Sequence, residues 1–593
     1  MLVNCPCFVI NGIRSLSERR AAWLSGALLA LMTFAAYAPA LRGGFLWDDD
    51  RYVSENPLMT VPGGLRRIWS VKQTDQYYPL VYSTFWAERR LWGLDPIGYH
   101  VANVMLHILN ALLVWLLLRR LGLENAWLAA AIFALHPVHV ESVAWISERK
   151  NVLSGLFYLL ALVSYLNFEE TEDRRFYFGA FVLFVLALLS KTVTCTLPAV
   201  ILLLAWMRGR RVGVRDVARL VPFFVVGAGA GMLTRWVEHA SVVGHDWDLS
   251  IWQRSMLAGR AAWFYAGKLA WPSRLSFSYE RWILDPRDFL QWSWDALWLG
   301  GMLLLWLGRK KMGRGPLAGA LFFLLTLSPA LGFVNVYPQR YSFVADHFQY
   351  LGSLGLIAVF AVGASRLAPA AALAALLPVL GFLTWRQAHI YKNLDTLWRD
   401  TAAKNPRSVI AHTNLGWDLY IHGRTDDAIA QYRAALEIEP SMPETNMDLG
   451  LAYAKNGRDI DAMTQYLKAL KYNPQYVATY LYIGDLLLSR GRNREAAAAY
   501  ASVLWLNPNL PAATYSNAGY ALAALGDYPQ AIRHLREAIR IDPSFVEAHV
   551  RLGDAFAVVG RKAEALAEYR TALKLDPASA EAKAHAAFVL KNS

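Results

Sequence analysis

The sequence GGFLWDDD, residues 43–50, follows an apolar run at residues 22–41 and places three carboxylates in succession. Acidic residues are costly near a bilayer, so a cluster just past a membrane edge favours a functional explanation. Arg14, Arg19 and Arg20 precede the apolar run, and further apolar runs follow it. We therefore predict an uncleaved first membrane span, not a signal peptide, with a reactive site immediately outside it.

Apolar runs long enough to cross a hydrocarbon layer of about 30 Å recur up to residue 390. We predict an all-α fold in which residues 1–390 form a polytopic helical bundle of about eleven spans. The predicted spans are residues 22–41, 99–118, 126–145, 152–168, 176–189, 194–206, 217–234, 296–307, 317–333, 351–364 and 367–383. Residues 258–271 are apolar but interrupted by Arg260 and Lys268, so we interpret them as re-entrant or interfacial.

Arginine and lysine clusters, such as residues 208–211 and 309–311, fall at alternate loops and predict the orientation. By the positive-inside rule these loops and the N-terminus face the cytoplasm. The loops predicted on the opposite face include residues 48–50, 139–150, 191 and 335–350. An odd number of spans puts the C-terminal part of the chain on that face too, whereas a crossing by residues 258–271 would reverse this placement.

The composition narrows the class and the location. The formal net charge of +13 is spread over short clusters between apolar runs, which argues against nucleic-acid binding. The three cysteines form neither a disulfide framework nor a metal-ligand set. The Arg- and Ala-rich composition indicates a bacterial source, so we predict the inner (cytoplasmic) membrane, with the C-terminal domain in the periplasm.

After Trp385 the composition becomes polar, and prolines recur every 34 or 35 residues. A period of 34 is that of tetratricopeptide (TPR) helix pairs, so we predict a TPR α-solenoid at residues 391–593. The predicted repeats are residues 407–440, 441–474, 475–508, 509–543 and 544–577, with a leading helix at 391–405 and a closing helix at 578–593. Such arrays hold an extended peptide or a protein partner on a concave surface, although a dimerisation or spacer module is the alternative.

Two further external segments carry groups suited to chemistry. In residues 136–150, His139 and Glu141 are two apart, which suits a loop and is not the spacing of a helical zinc site. In residues 335–350, Arg340, Asp346 and His347 lie among tyrosines, a pattern that an interfacial aromatic belt also explains. From the residues alone, the acidic cluster could be a solvated cap, and residues 148–150 a solvated loop.

The sequences FLWDD (45–49), YPL (78–80), LDPIGYH (94–100) and HPVHVE (136–141) resemble those of the transmembrane and tetratricopeptide-repeat-containing O-mannosyltransferases, which are GT-C glycosyltransferases. The likeness covers nearly the whole chain and includes the order of membrane half and repeats. It implies transfer of mannose from a polyprenyl-phosphate carrier to Ser or Thr hydroxyls of proteins, away from the cytosol. Where eukaryotic members have Glu-Arg before Tyr-Leu, this chain has Asp346-His347 before residues 348–350.

The resemblance also implies roles for particular residues. It maps the acidic pair of the first external loop onto Asp48 and Asp49, and the histidine and acid of the second onto His139 and Glu141. A hydroxyl that attacks an anomeric carbon must lose its proton, so we predict Asp48 or Asp49 as the catalytic base, with Glu141 assisting. The predicted substrate- and phosphate-binding residues are His139, Arg149, Lys150, Lys191 and Arg340. A divalent ion, Mg²⁺ or Mn²⁺, bound by Asp48 or Asp49 would serve the same purpose, and an ion-free site is equally compatible with the sequence.

The sequence thus predicts a membrane glycosyltransferase that moves a hexose, mannose by resemblance, from a polyprenyl phosphate to a protein or envelope-glycan hydroxyl. Its expected partners are membrane lipid, the lipid-linked sugar donor, the acceptor and a protein bound in the TPR groove. The alternative is a non-catalytic, membrane-anchored TPR scaffold for envelope protein assembly. A single cavity shared by the carboxylates that follow the first span and those of residues 141–148 would favour the enzyme.

Overall fold

The structure, a computed structural model, describes residues 16–71, 73–74, 76–242, 249–335, 339, 341–364 and 370–591. Within these residues the chain is built of helices and contains no strand, which confirms the predicted all-α class. The chain divides into two compact units, Met1–Ala411 and His412–Ser593. We describe each unit separately.

The first unit is a bundle of helices of very different lengths. Helices α1 to α16 are Leu16–Ala36, Gly64–Ile68, Pro79–Trp92, Pro96–Arg120, Ala126–Leu135, Val140–Ala144, Arg149–Thr171, Arg174–Ser190, Leu197–Met207, Val214–Val242, Ile251–Ala270, Ser293–Met312, Gly315–Leu327, Ser353–Ala364, Ala370–Ala388 and Leu394–Lys404. Helix α4 packs against both α5 and α7. Their side chains, mostly Leu, Val and Ala, supply much of the buried apolar core of the bundle.

Length and composition identify some of these helices as candidate membrane spans. Among the described residues, Pro96–Arg120, Ile146–Thr171 and Val214–Val237 are long and apolar enough, and Ala126–Leu135 with Pro137–Ala144 makes a fourth if that pair, bent by 52°, counts as one span. These helices indicate a membrane protein. Each of the eleven predicted spans overlaps a helix, but the others are shorter or less apolar, so the number of spans stays a prediction.

Residues 258–271 contain no re-entrant turn, one of the two forms that the sequence predicted, and the interfacial form stays a prediction. They belong to α11, an unbroken helix of 20 residues that Ser250 and Gln253 begin with a reciprocal capping box. The charges that interrupt the apolar pattern lie at its surface, where the Arg260 guanidinium stacks on the Trp282 ring, 4.4 Å from its centroid. An apolar face and a charged face are compatible with one continuous amphipathic helix, so no loop is required.

Helix α16 was predicted to lead into the repeats, but it packs within the first unit. Leu397, Trp398 and Thr401 form its buried face. Lys404 Nζ donates a hydrogen bond of 2.6 Å to the Leu275 carbonyl oxygen, which ties the end of the helix to the segment after α11. The predicted domain boundary at residue 390 therefore precedes the division between the compact units by one short helix.

The second unit consists of the helix pairs that the 34-residue period predicts. Helices α17 to α27 are Val409–Ile421, Thr425–Ile438, Pro443–Lys455, Asp459–Tyr472, Val477–Ser489, Asn493–Leu506, Ala512–Ala524, Tyr528–Ile541, Val546–Val558, Lys562–Leu575 and Ala580–Lys591. The two helices of a pair approach closely at a glycine. A Cβ atom on Gly450 would lie 2.6 Å from the Tyr466 ring, so only glycine permits this packing.

Candidate active site

A cavity of about 500 Å³ lies in the first unit, and four segments distant in sequence contribute the charged side chains and the histidine of its lining. The Asp, Glu, Lys, Arg and His side chains that line it are Asp48, Arg51, Glu141, Glu148, Lys150, Lys191 and His347. Apolar side chains that line it include Trp47, Trp145, Val193, Phe277, Pro329 and Phe348. A concave site with a few convergent charges among apolar and aromatic walls is typical of a ligand-binding pocket.

Asp48 and Asp49 are adjacent in sequence but have different surroundings. Asp48 lines the cavity, whereas Asp49 is fully buried. The Asp49 carboxylate accepts 2.7 Å hydrogen bonds from the backbone N–H groups of Leu46 and Ser147, one on each oxygen. Burial raises the pKa of Asp49 to about 7, although these two hydrogen bonds act to lower it. Asp49 therefore connects the segment after α1 to the segment after α6, and Asp48 is the one of the pair that lines the cavity.

The same geometry bears on the predicted metal ion. Each oxygen of Asp49 accepts one backbone hydrogen bond and keeps a second lone pair, so a divalent ion at Asp48 and Asp49 stays a prediction. Within the described residues, the one group of three His, Cys, Asp or Glu side chains with ligand atoms within 4.8 Å of one another is Asp554, Glu581 and His585, in the second unit. Positive charge at the cavity comes from the side chains of Lys150 and Lys191.

Glu141 reaches the cavity from the first turn of α6 and contacts His347. It is 2% exposed, and its Oε1 lies 3.0 Å from His347 Nδ1. Its Oε2 accepts a 3.1 Å hydrogen bond from the His347 backbone N–H. His347 is thus held on Glu141 by two contacts, one at its ring and one at its backbone. Asp48 and Glu141 line one cavity, as the enzyme interpretation requires.

Glu148 is the residue around which the cationic part of the cavity is organised. It is 1% exposed, so residues 148–150 are not the solvated loop that the sequence also allowed. Its Oε1 lies 2.8 Å from Lys150 Nζ, and its Oε2 lies 3.3 Å from Lys191 Nζ. Lys191 also donates a 2.7 Å hydrogen bond to Asn151 Oδ1. Burial lowers the pKa of Lys191 to about 8, which the Glu148 carboxylate opposes.

Two predicted substrate-binding residues are placed elsewhere, and a third lies outside the described residues. His139 is fully buried, and its ring nitrogens are 2.7 Å from the Phe133 carbonyl oxygen and 2.9 Å from Ser353 Oγ. Arg149 is 1% exposed, forms an ion pair with Glu88 and is hydrogen-bonded to two groups of α4. We correct both assignments, because neither side chain lines the cavity and each already has partners. Arg340 is not among the described residues.

Relatives among known proteins share most of this chain. It is 26% identical over 453 residues to "Protein O-mannosyl-transferase F38B6.6" of Caenorhabditis elegans, covering 70% of this chain and 62% of that protein. It is 24% identical over 521 residues to human "Protein O-mannosyl-transferase TMTC1", covering 74% of this chain and 58% of that protein. The chain is similar to the TMTC-type protein O-mannosyl-transferases over about 70% of its length. The predicted resemblance is confirmed, and the chain spans about three fifths of the length of these relatives.

The predicted repeats are confirmed by family models described as "TPR repeat" and "Tetratricopeptide repeat". These match residues 418–457, 519–560, 447–513 and 546–579. Among solved structures, "Crystal structure of YrrB: a TPR protein with an unusual peptide-binding site" is 20% identical, covers 32% of this chain and 96% of that chain, and has a TM-score of 0.30.

The sequence analysis assigned no role to two residues of the candidate site, Glu148 and His347. Glu148 stands in a charged stretch and His347 in an aromatic one, and each stretch is also compatible with an ordinary surface position. Glu148 lies directly before Arg149 and Lys150 in a segment that returns to an apolar run. Opposite charges at the edge of a predicted span are more often buried as pairs than isolated, and this was the available signal.

The corrected role of Arg149 gives a testable expectation. Arg149→Met should leave the buried Glu88 carboxylate without its partner and destabilise the membrane unit by about 3–5 kcal/mol. The measurement is the midpoint of thermal unfolding in detergent. The double variant Arg149→Met/Glu88→Gln is the control and should recover most of the midpoint. A wild-type midpoint for Arg149→Met combined with weaker binding of a polyprenyl phosphate would restore the original assignment.

Proposed function

We propose that this chain is an integral membrane glycosyltransferase of the GT-C type. It transfers a hexose, mannose in the first instance, from a polyprenyl phosphate to a hydroxyl group on the external side of a bacterial inner membrane. The observation that carries the proposal is that Asp48 and Glu141 line one cavity with Lys150 and Lys191. The names of the relatives support the same transfer.

Asp48 is the general base of the proposed reaction. The acceptor hydroxyl oxygen forms a bond to the anomeric carbon while the bond from that carbon to the phosphate oxygen breaks. The hydroxyl proton passes to the Asp48 carboxylate, and the polyprenyl phosphate leaves with the electron pair. One displacement with one base inverts the anomeric configuration. Glu141, held by His347, lies on the same cavity wall and assists in orienting the acceptor.

The two lysines stabilise the phosphate that leaves. Lys150 and Lys191 share the single carboxylate of Glu148, so this part of the cavity keeps an excess of positive charge. Negative charge grows on the phosphate as the sugar departs, and fixed cations in a low-dielectric cavity favour that charge more than water would. The apolar residues of the same cavity, Val193 and Pro329 among them, suit the start of the polyprenyl chain.

The shared cavity also supports the eleven-span topology. Residues 48, 141, 191 and 347 lie on its wall, so the chain must cross the membrane an even number of times between each of them and the next. Because α5 ends at Leu135, before residue 141, the predicted spans give two, two and four crossings, provided that α11 does not cross. A crossing by α11 would separate residues 191 and 347. We therefore propose that α11 lies at the external interface.

The same parity brings the chain back to the cavity face after α15. There the Gly44 N–H donates a 2.9 Å hydrogen bond to the Lys392 carbonyl oxygen, which links the first external loop to the segment that follows the last span. Under this proposal the repeats begin on the external side. They bind the acceptor protein or a partner protein, as a TPR groove commonly does.

The test uses full-length protein reconstituted in lipid nanodiscs, with radiolabelled mannose on a polyprenyl phosphate and a Ser/Thr-rich protein acceptor. Transfer of label to the acceptor is the expected result. Asp395→Asn is a control outside the cavity, at a carboxylate that pairs with Arg399 on the surface of α16, and should transfer at the wild-type rate. If no lipid-linked hexose is transferred while the chain still assembles envelope proteins in cells, the scaffold alternative is correct.

A further inference from the structure

The residue that precedes Asp48 has an unusual backbone. Trp47 has a φ of +44°, in the left-handed region that side chains with a Cβ atom rarely adopt. This conformation is strained for a residue other than glycine, because the Cβ atom comes too close to the following carbonyl oxygen. Such strain persists only where the surroundings hold it, and it is often found at functional sites. Some contact must therefore keep Trp47, and with it the direction of Asp48, in place.

Three aromatic rings surround the Trp47 side chain. The Trp145 ring stacks on it at a centroid distance of 6.0 Å. Phe277 and Trp398 meet it edge-on at 5.4 and 5.7 Å. Trp145 and Phe277 also line the cavity, whereas Trp398 comes from α16 and is 1% exposed. The contact from α16 therefore supports Trp47 from outside the cavity.

A second contact joins the same two parts of the chain. The segment just before α16 accepts the hydrogen bond from Gly44 at Lys392. It also approaches Gly43 so closely that a Cβ atom there would lie 2.9 Å from the Tyr391 carbonyl oxygen. Residues 391–392 thus hold the backbone of residues 43–44, and Trp398 holds the ring of Trp47.

Helix α16 is itself firmly placed, so it can serve as a support. The Asn393 side chain caps its first turn by accepting a 2.9 Å hydrogen bond from the Thr396 backbone N–H. Its last turn is bonded to Leu275 through Lys404. Trp398 lies between these two ends and also meets Phe277 edge-on at 5.2 Å.

We propose that Trp398 is a positioning residue of the transfer reaction. By packing on Trp47 it holds the left-handed backbone that directs Asp48 into the cavity. The helix that the sequence assigns to the repeat domain is then a working part of the membrane enzyme. This inference rests on the proposed function and adds a residue that does not touch the substrate.

The test compares three full-length variants in nanodiscs. Trp398→Ala should lower kcat by about 10- to 100-fold with a much smaller change in the KM for the lipid-linked sugar, because a misplaced base affects the chemical step more than binding. Trp398→Phe keeps an aromatic ring and should recover most of kcat. Trp398→Leu keeps apolar bulk without the ring, and should resemble Trp398→Ala. The control is Trp271→Ala, at a tryptophan of the first unit that is 77% exposed and does not line the cavity, which should behave as wild type.

A readout independent of activity separates this inference from the proposed function. Hydrogen exchange of backbone amides in residues 43–54 should be faster in Trp398→Ala than in wild type, and near normal in Trp398→Phe. Unchanged exchange and unchanged kcat in Trp398→Ala would overturn the inference even if the wild type transfers sugar. If Trp398→Ala does not fold, Trp398→Leu is compared with Trp398→Phe in its place, and a lower kcat in Trp398→Leu alone supports the inference. Equal loss of kcat in Trp398→Leu and Trp398→Phe would show a general packing role and overturn it as well.

Discussion

Asp48→Asn is expected to lower the rate of sugar transfer by about 10²- to 10⁴-fold, the usual contribution of a general base. An amide keeps the size of the side chain but cannot accept the hydroxyl proton. Binding of the lipid-linked sugar should change little, because Lys150 and Lys191 stay in place. The measurement is kcat and KM in nanodiscs with labelled mannose on a polyprenyl phosphate.

Asp50→Asn is the matched control for this experiment. It makes the same chemical change two residues further on, at a carboxylate that accepts a 2.8 Å hydrogen bond from Ser54 Oγ and does not line the cavity. An asparagine oxygen can accept that bond, so activity should stay close to wild type. If Asp50→Asn is inactive and Asp48→Asn is active, the base has been assigned to the wrong residue.

Glu148→Gln should destabilise the membrane unit by about 3–5 kcal/mol, because it leaves two buried ammonium groups with no carboxylate between them. The midpoint of thermal unfolding should fall accordingly. Adding a polyprenyl phosphate should raise the midpoint of this variant more than that of wild type, since the phosphate supplies the missing negative charge. The double variant Glu148→Gln/Lys191→Met removes one ammonium and should recover part of the loss.

The pH dependence of the same midpoint gives an independent check on Lys191. Its folded-state pKa of about 8 lies below the ordinary value of 10.5, so the unfolded chain binds more protons between these values. The contribution of Lys191 to stability therefore increases from about pH 8 upward and is lost as the pH falls through 8. In Glu148→Gln the opposing carboxylate is gone, so the rise should begin at a lower pH. A midpoint independent of pH in both proteins would contradict this account of Lys191.

The periodic features of the chain were predictable because they are local. The 34-residue spacing of proline and glycine specifies helix pairs wherever the repeats occur, and the family models match most of them. Apolar runs likewise predicted helices, since a run excludes polar groups without reference to the rest of the chain. The boundary at residue 390 followed composition, and composition could not show that Trp398 is buried against Trp47.

The sequence by itself determined the helical class, the repeats and the loops that carry the candidate chemistry. Only the tertiary structure decided which carboxylate of the Asp48-Asp49 pair meets the cavity, because the choice depends on the Ser147 backbone N–H, 98 residues away. It also decided that Arg149 pairs with Glu88, and that Glu148 lies between Lys150 and Lys191. A sequence shows which residues are charged but not which of them pair. Their roles are set by the partners that the fold brings within hydrogen-bonding distance.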